Sequence, residues 1–270
     1  MIKDGWLEMS KEDKNQQNTY QGLTDLTASF VETPLDRIEF DEALIRELSP
    51  DGDFKNVSDF LQQIRQIRDG KITKAAYLCF AKRNQLYANA VIKIARFDGN
   101  TVTKFLDRKN IDSNLIRAVE ETLTFIKGHI NQGLIQHRNG KEELKWDYPL
   151  SALKEALINA ILHRDYNDTG NIQVRIFEDW LEIWSPGELP QELDLRRILY
   201  EDRTILRNSN LAMIFQGLGL VDNWGTGFKR MNDACVENGN PEPIYSQKAG
   251  AFVVTMHKSI ITPNILQQPH

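Results

Sequence analysis

Few cysteines and few histidines are available in this chain of 270 residues. Its two cysteines, Cys79 and Cys235, lie far apart, and neither has a second cysteine or a histidine at metal-site spacing. Two cysteines do not make a disulfide framework, so we interpret them as reduced, partly buried thiols. The five histidines are scattered without an aspartate cluster, which disfavours a transition-metal site.

Positive charge is also scarce. The chain has 33 lysine and arginine residues against 38 aspartate and glutamate residues, which gives a formal net charge of -5. Proteins that bind a phosphate backbone usually carry a basic surface, so this balance disfavours direct binding of nucleic acid. Composition does not show where the charges lie, so the alternative of a local basic patch is left open.

Long apolar runs and a leader pattern are missing as well. No apolar stretch approaches the length of a membrane span, and Met1 is followed by charged and polar residues. We therefore expect a cytoplasmic protein with no membrane partner. The sequence Gly-x-x-x-x-Gly-Lys-Ser/Thr does not occur, which excludes a P-loop and a helicase motor of the usual kind.

The chain divides into four predicted regions. We expect a flexible arm over 1–33, a mixed α/β linker domain over 34–110, a second domain over 111–258 and a flexible tail over 259–270. The boundary near 110 is soft, because a helix predicted at 113–131 fits either side. The second half alternates helices with strands, which predicts an α+β fold with helices on one face of a mixed sheet.

A helix predicted over 150–163 carries the most informative pattern. Apolar residues cover most of its circumference, while Glu155, Asn159 and His163 recur every four residues and form one polar line. A helix this apolar is expected to be buried, so its polar line is expected to face a cavity. The alternative is that each of the three side chains is a buried hydrogen-bonded group or lies at a solvated edge of the helix.

The segment from Glu155 to Tyr166 resembles the N-box helix of a divergent branch of the GHKL ATPases. That branch is the C-terminal ATPase-like domain of RecG-like ATP-dependent DNA helicases and transcriptional regulators. Three further motifs follow in the family's order: a strand-ending loop at 184–190, a short helix start at 207–208 and a glycine loop at 224–227. The resemblance extends from about residue 20 to 258 and implies a mixed α/β region followed by a GHKL-type α/β sandwich.

The resemblance implies roles for the polar line. Glu155 would orient or deprotonate the attacking water of an ATPase, and Asn159 would offer its amide oxygen to Mg²⁺. His163 and Asp165 would line the far end of the nucleotide cleft.

It also implies a phosphate site at the glycine loop. Gly225, Thr226 and Gly227 would let backbone amides approach phosphate oxygens at the start of a helix. Gly187 would belong to the strand-ending loop of the site, and Arg207 is our candidate for a cationic clamp on the phosphates. We interpret the side chains at 229 and 230 as a solvated helix face.

One departure from the GHKL pattern bears on the ligand. The typical loop is Asp-x-Gly-x-Gly, and its aspartate binds the adenine amino group; here the loop reads Ser185-Pro186-Gly187-Glu188. Asp179 precedes the strand and lies at the wrong end to substitute. ATP and Mg²⁺ are therefore one expectation, and a catalytically silent interaction or dimerisation module is the other.

The resemblance further implies a partner outside this segment. An Alba-like DNA-binding module commonly precedes it in such proteins, and residues 1–34 do not carry its pattern. We expect DNA contact through a module that this chain lacks, and a homodimer is a further expectation.

Overall fold

A computed structural model describes residues 25–49, 54–136, 142–189, 195, 206–221 and 226–258. Its α-helices are α1 (Glu42–Leu48), α2 (Val57–Gln63), α3 (Lys74–Phe80), α4 (Leu115–Lys127), α5 (Leu150–His163), α6 (Ser209–Gly217) and α7 (Gly227–Asn238). Its strands are β1 (Ile67–Arg68), β2 (Lys71–Ile72), β3 (Ile92–Phe97), β4 (Phe105–Ile111), β5 (Gln132–Gln136), β6 (Glu142–Trp146), β7 (Ile172–Ile176), β8 (Trp180–Pro186), β9 (Ile244–Lys248) and β10 (Ala251–His257). The predicted α+β class is confirmed.

Six strands form one mixed sheet in the order β4-β3-β7-β8-β10-β9. The β3–β7 pair is parallel and the other pairs are antiparallel. One face buries alternating side chains such as Ile94, Val174 and Ile183 beneath the helices, of which α4 packs on β3 and α5 packs on β8. This is the predicted GHKL-type sandwich, with helices on one face of the sheet.

Local sequence explains where the longer helices begin. The Asn114 side chain accepts a hydrogen bond from the Arg117 amide and caps α4, so this helix begins at Leu115 and not at residue 113 as predicted. Pro149 precedes α5, at a position where the absence of its N–H removes no hydrogen bond from the helix. The observed bounds of α5 are those predicted from its periodicity.

Other predicted elements differ in their bounds. The sequence pattern predicts a helix over 71–82 and a strand over 102–106. The first segment begins as β2 before α3, and the strand is β4, at Phe105–Ile111. Six of the seven β4 residues are exposed, so this edge strand lacks the alternation that would reveal it. The predicted β5–β6 pairing is present, whereas its turn at 139–140 lies outside the described residues.

The sheet contains strands from both sides of the boundary predicted near residue 110, since β3 lies beside β7. The division into regions stays a prediction, and the tail over 259–270 and most of the arm lie outside the described residues. No helix in the described part of the chain is long and apolar enough to cross a membrane.

Candidate functional site

Glu155, Asn159 and His163 lie along one side of α5, as their spacing predicts, and the cavity expected in front of them stays a prediction. Glu155, Asn159 and His163 are half-buried, whereas the apolar residues from 152 to 162 are buried. Ser151 and Lys154 complete the set of α5 residues after 150 that reach solvent. Because the rest of the helix is embedded, the three side chains form the accessible strip of a core helix.

The first turn of α7 lies directly on this strip. A Cβ added at Gly227 would collide with Oε1 of Glu155 and would lie 3.2 Å from Nδ2 of Asn159. A side chain at this position would have to displace the carboxylate at the end of the flexible Glu155 side chain. The Gly227 backbone therefore lies beside Glu155 and Asn159, whereas Gly225 lies outside the described residues.

The N-terminus of α7 presents backbone donors at this point. Thr226 is the N-cap residue, and its side chain caps none of the described amides of the first turn. The amide of Arg230 donates to the carbonyl of Thr226, so the three N–H groups at 227–229 precede the first intrahelical bond. A helix N-terminus of this kind carries partial positive charge and favours an anion.

Arg230 contacts Glu155, although we predicted that its side chain lies on a solvated helix face. Its Nη2 lies 2.9 Å from Oε2 of Glu155, whose side chain is 16% exposed, and Nδ2 of Asn159 lies 3.4 Å from the other carboxylate oxygen. The missed signal was its spacing, because Arg230 is three residues after Gly227 and so shares a helix face with it. Glu155 is thus bound on one side by a cation and on the other by an amide.

A second cluster forms beyond the C-terminal end of α5. Arg207 pairs with Asp165 at 3.0 Å through Nη1, and its Nη2 donates to the carbonyl of Glu188 at 2.6 Å. Gly187, at φ 108°, lies so close that a Cβ would be 3.0 Å from both Asp165 Cβ and Arg207 Nη1. These three predicted residues meet each other beyond His163, which lies about 12 Å along the helix axis from Glu155.

A buried arginine fixes the loop that carries Asp165. Arg164 is 0% exposed, and its guanidinium donates to the carbonyls of Asp165 at 2.8 Å, of Asp168 at 2.9 Å and of Gly170. It also lies over the Tyr166 ring at 4.8 Å, and burial lowers the pKa of the guanidinium. Arg164 therefore shapes the second cluster without belonging to its surface.

Ser185 begins the loop whose sequence resembles the Asp-x-Gly-x-Gly loop of GHKL proteins. Its side chain is buried, and its hydroxyl donates to the carbonyl of Ala160 on α5 at 2.8 Å. That bond ties the strand end to the helix and leaves no carboxylate at the position. Gly187, two residues after Ser185, nevertheless lies beside Asp165, whose Cβ would be 3.0 Å from a Cβ added at Gly187.

Residues 170–256 match the model of the family described as "Putative ATP-dependent DNA helicase recG C-terminal". The resemblance to the RecG-like C-terminal domain is confirmed for this segment. The matched segment begins after α5 and runs from β7 through all but the last residue of β10. The match therefore does not include Glu155 and Asn159, and the observation that bears on them is their placement beside Gly227.

A solved structure also resembles the chain. The DIP2311 protein from Corynebacterium diphtheriae superposes with a TM-score of 0.75 at 22% sequence identity, over 96% of this chain and 50% of that one. At this identity the likeness shows the fold alone, and the chain spans half the length of that protein. No curated protein matches the chain.

Proposed function

We propose that the chain binds a nucleoside triphosphate with Mg²⁺ between α5 and the first turn of α7, as the nucleotide-binding core of a DNA-associated transcriptional regulator. The observation that carries this proposal is the approach of the Gly227 backbone to Glu155 and Asn159. The match of residues 170–256 to a family named for an ATP-dependent helicase supports a nucleotide as the ligand.

The phosphate end of the ligand belongs at Gly227. The amides at 227–229 are helix N-terminal donors, and Arg230 brings a guanidinium to the same place. A terminal phosphate is a stronger partner for arginine than a single carboxylate oxygen, so it would compete with Glu155 for Arg230. Release from that ion pair would leave Glu155 able to orient or deprotonate a water, the role of the family's glutamate.

Asn159 is suited to hold Mg²⁺. Its Nδ2 is directed to Glu155, and its Oδ1 accepts no hydrogen bond from any residue that the structure describes. An amide oxygen is a suitable ligand for this hard cation, which binds proteins through few groups and takes further oxygens from phosphates and water. Asn159 and the bound phosphates would together supply the site.

The base of the nucleotide belongs at the second cluster. Asp165 lies beside Gly187, and Arg207 fixes its carboxylate at 3.0 Å. A carboxylate can accept a hydrogen bond from the exocyclic amine of adenine from any element of the fold. Asp165 can therefore bind that amine in place of the aspartate that is absent at Ser185. His163 lies between the two ends along the polar line.

A silent module is the second candidate function. The observation that favours it is the Ser185 hydroxyl bound to Ala160, where the typical GHKL protein has a free aspartate. In that case the sandwich is kept for contacts with another protein or with a second copy of the chain.

A thermal-shift experiment on the full chain separates these functions. A ligand that binds the native state raises the melting temperature, and at 100 times Kd it adds about 2.7 kcal/mol. For a protein of this size that corresponds to a rise of several degrees, at about 2–4 °C per kcal/mol. We expect such a rise with ATP and Mg²⁺ together and a smaller rise with ATP alone.

Two glycine variants make the result specific. Gly227→Ala should lose the shift, because its Cβ takes the space against Glu155. Gly128→Ala should keep it, because a Cβ there meets atoms only at ordinary contact distance, 3.5 Å from the Phe125 carbonyl. If no nucleotide shifts the wild-type melting temperature, the nucleotide proposal is wrong and the silent module stands.

A further inference from the structure

The sheet face opposite α4 and α5 concentrates positive charge. Ala95 on β3 pairs with Arg108 of β4 on one side and with Arg175 of β7 on the other, and the neighbouring Lys93 points to the same face. Strands lie about 4.8 Å apart, so the two arginine Cα atoms flank the small Ala95 at a separation of about 10 Å. We call Lys93, Arg108 and Arg175, with Ala95 between them, the cationic face.

Arg175 is held flat on this surface. The Oε1 of Gln173 accepts hydrogen bonds from its Nε at 3.2 Å and its Nη2 at 2.8 Å. The guanidinium lies over the Trp184 ring at 4.2 Å, and the indole N–H donates to Glu182 at 2.7 Å. Arg175 is therefore held over the Trp184 ring by hydrogen bonds to Gln173.

Arg175 also lies 4.0 Å from Oε2 of Glu182 through Nη1, and this carboxylate offsets part of its charge. The other two cations have no such ion pair. Lys93 and Arg108 are exposed, and neither forms an ion pair with a carboxylate in the described part of the chain. Lys109, on the helix side of the same strand, pairs with Glu121. Clustered cations on a chain of net charge -5 indicate a surface for an anionic partner, because like charges at close range repel each other.

We infer that the cationic face binds single-stranded nucleic acid. Phosphates would lie above Ala95 within reach of Lys93, Arg108 and Arg175, and a base would stack near the Arg175–Trp184 pair. A duplex hides the faces of its bases and cannot use that stack, which is why a single strand is the better occupant. The acidic composition disfavours nucleic acid only as an average over the whole chain. The register of β3, β4 and β7 places three cations on one face of the sheet.

The inference is tested by fluorescence anisotropy on the full chain without nucleotide or Mg²⁺, so that the result is independent of the proposed function. The probes are labelled oligo(dT) and oligo(U) of about 20 nucleotides and a duplex of the same length. Three phosphate contacts predict that log K falls with log salt at a slope of about -2 for single strands. We expect both single strands to bind more tightly than the duplex.

Matched charge reversals locate the surface. Lys93→Glu with Arg108→Glu should weaken binding at least about tenfold and flatten the salt slope. Lys55→Glu with Lys127→Glu makes the same change in net charge at exposed positions away from the cationic face, and should stay within about twofold of wild type. Melting temperatures of both variants verify folding. Any of three results would overturn the inference: no binding by the wild type at about 50 mM salt, an equal loss of binding in both double variants, or tighter binding of the duplex than of the single strands.

Discussion

Asn159→Ala is expected to abolish Mg-ATP binding while the fold stays intact. The change removes the amide oxygen that we assign to Mg²⁺, so the loss should exceed the roughly 10–100-fold that the loss of an outer-shell partner costs. The one described hydrogen bond of the Asn159 side chain, to Glu155 at 3.4 Å, is long, and alanine favours a helix. The substitution should therefore cost little stability. Calorimetric titration measures the binding, and circular dichroism melting should change little.

Two further variants on α5 serve as controls for this prediction. Asn159→Asp keeps an oxygen at the same place and should retain binding of the metal–nucleotide complex. Lys154→Ala changes a side chain that is directed to Glu120 on α4, at 3.9 Å, and should bind like wild type. Wild-type heats from Asn159→Ala would contradict the assignment of Mg²⁺ to this residue.

Arg164→Ala is expected to give the largest loss of stability. The substitution leaves three backbone carbonyls without their donor and a cavity in place of a fully buried side chain. Each unsatisfied buried group costs about 1–3 kcal/mol, so the free energy of unfolding should fall by on the order of 4 kcal/mol. Urea denaturation should show this as a lower midpoint at an unchanged m value.

An exposed arginine provides the comparison. Arg83→Ala removes a surface ion pair with Asp112 at 3.4 Å, with both side chains more than half exposed, and should change stability by less than about 1 kcal/mol. A loss of that small size from Arg164→Ala would show that the loop of Asp165 does not depend on the buried guanidinium. The account of the second cluster would then fail.

Sequence periodicity predicted α5 and its polar line well because the helix is strongly apolar over its whole length. It did not predict β9, of which no residue is buried, or the bounds of β4, an edge strand exposed along most of its length. Edge strands have little to bury, so their side chains carry no alternation. The interior strands were predictable because each has a face to bury, which gives its sequence an apolar alternation.

Partners that are distant in sequence were harder to predict. The spacing on α5 places Glu155 and Asn159 on one face, but only the packing of α7 on α5 brings Arg230 to Glu155. The same holds for Asp165 and Arg207, whose ion pair joins the end of α5 to the start of α6. The approach of Gly227 came from the resemblance to the GHKL family, since spacing within a helix does not tell which helices touch.

The most direct measurement is a crystal structure of the chain with Mg²⁺ and a non-hydrolysable ATP analogue. The proposal predicts phosphate oxygens on the amides at 227–229, Mg²⁺ on Oδ1 of Asn159 and Arg230 turned from Glu155 to the terminal phosphate. A nucleotide bound elsewhere, or an unchanged Glu155–Arg230 pair with no nucleotide at saturating concentration, would contradict it.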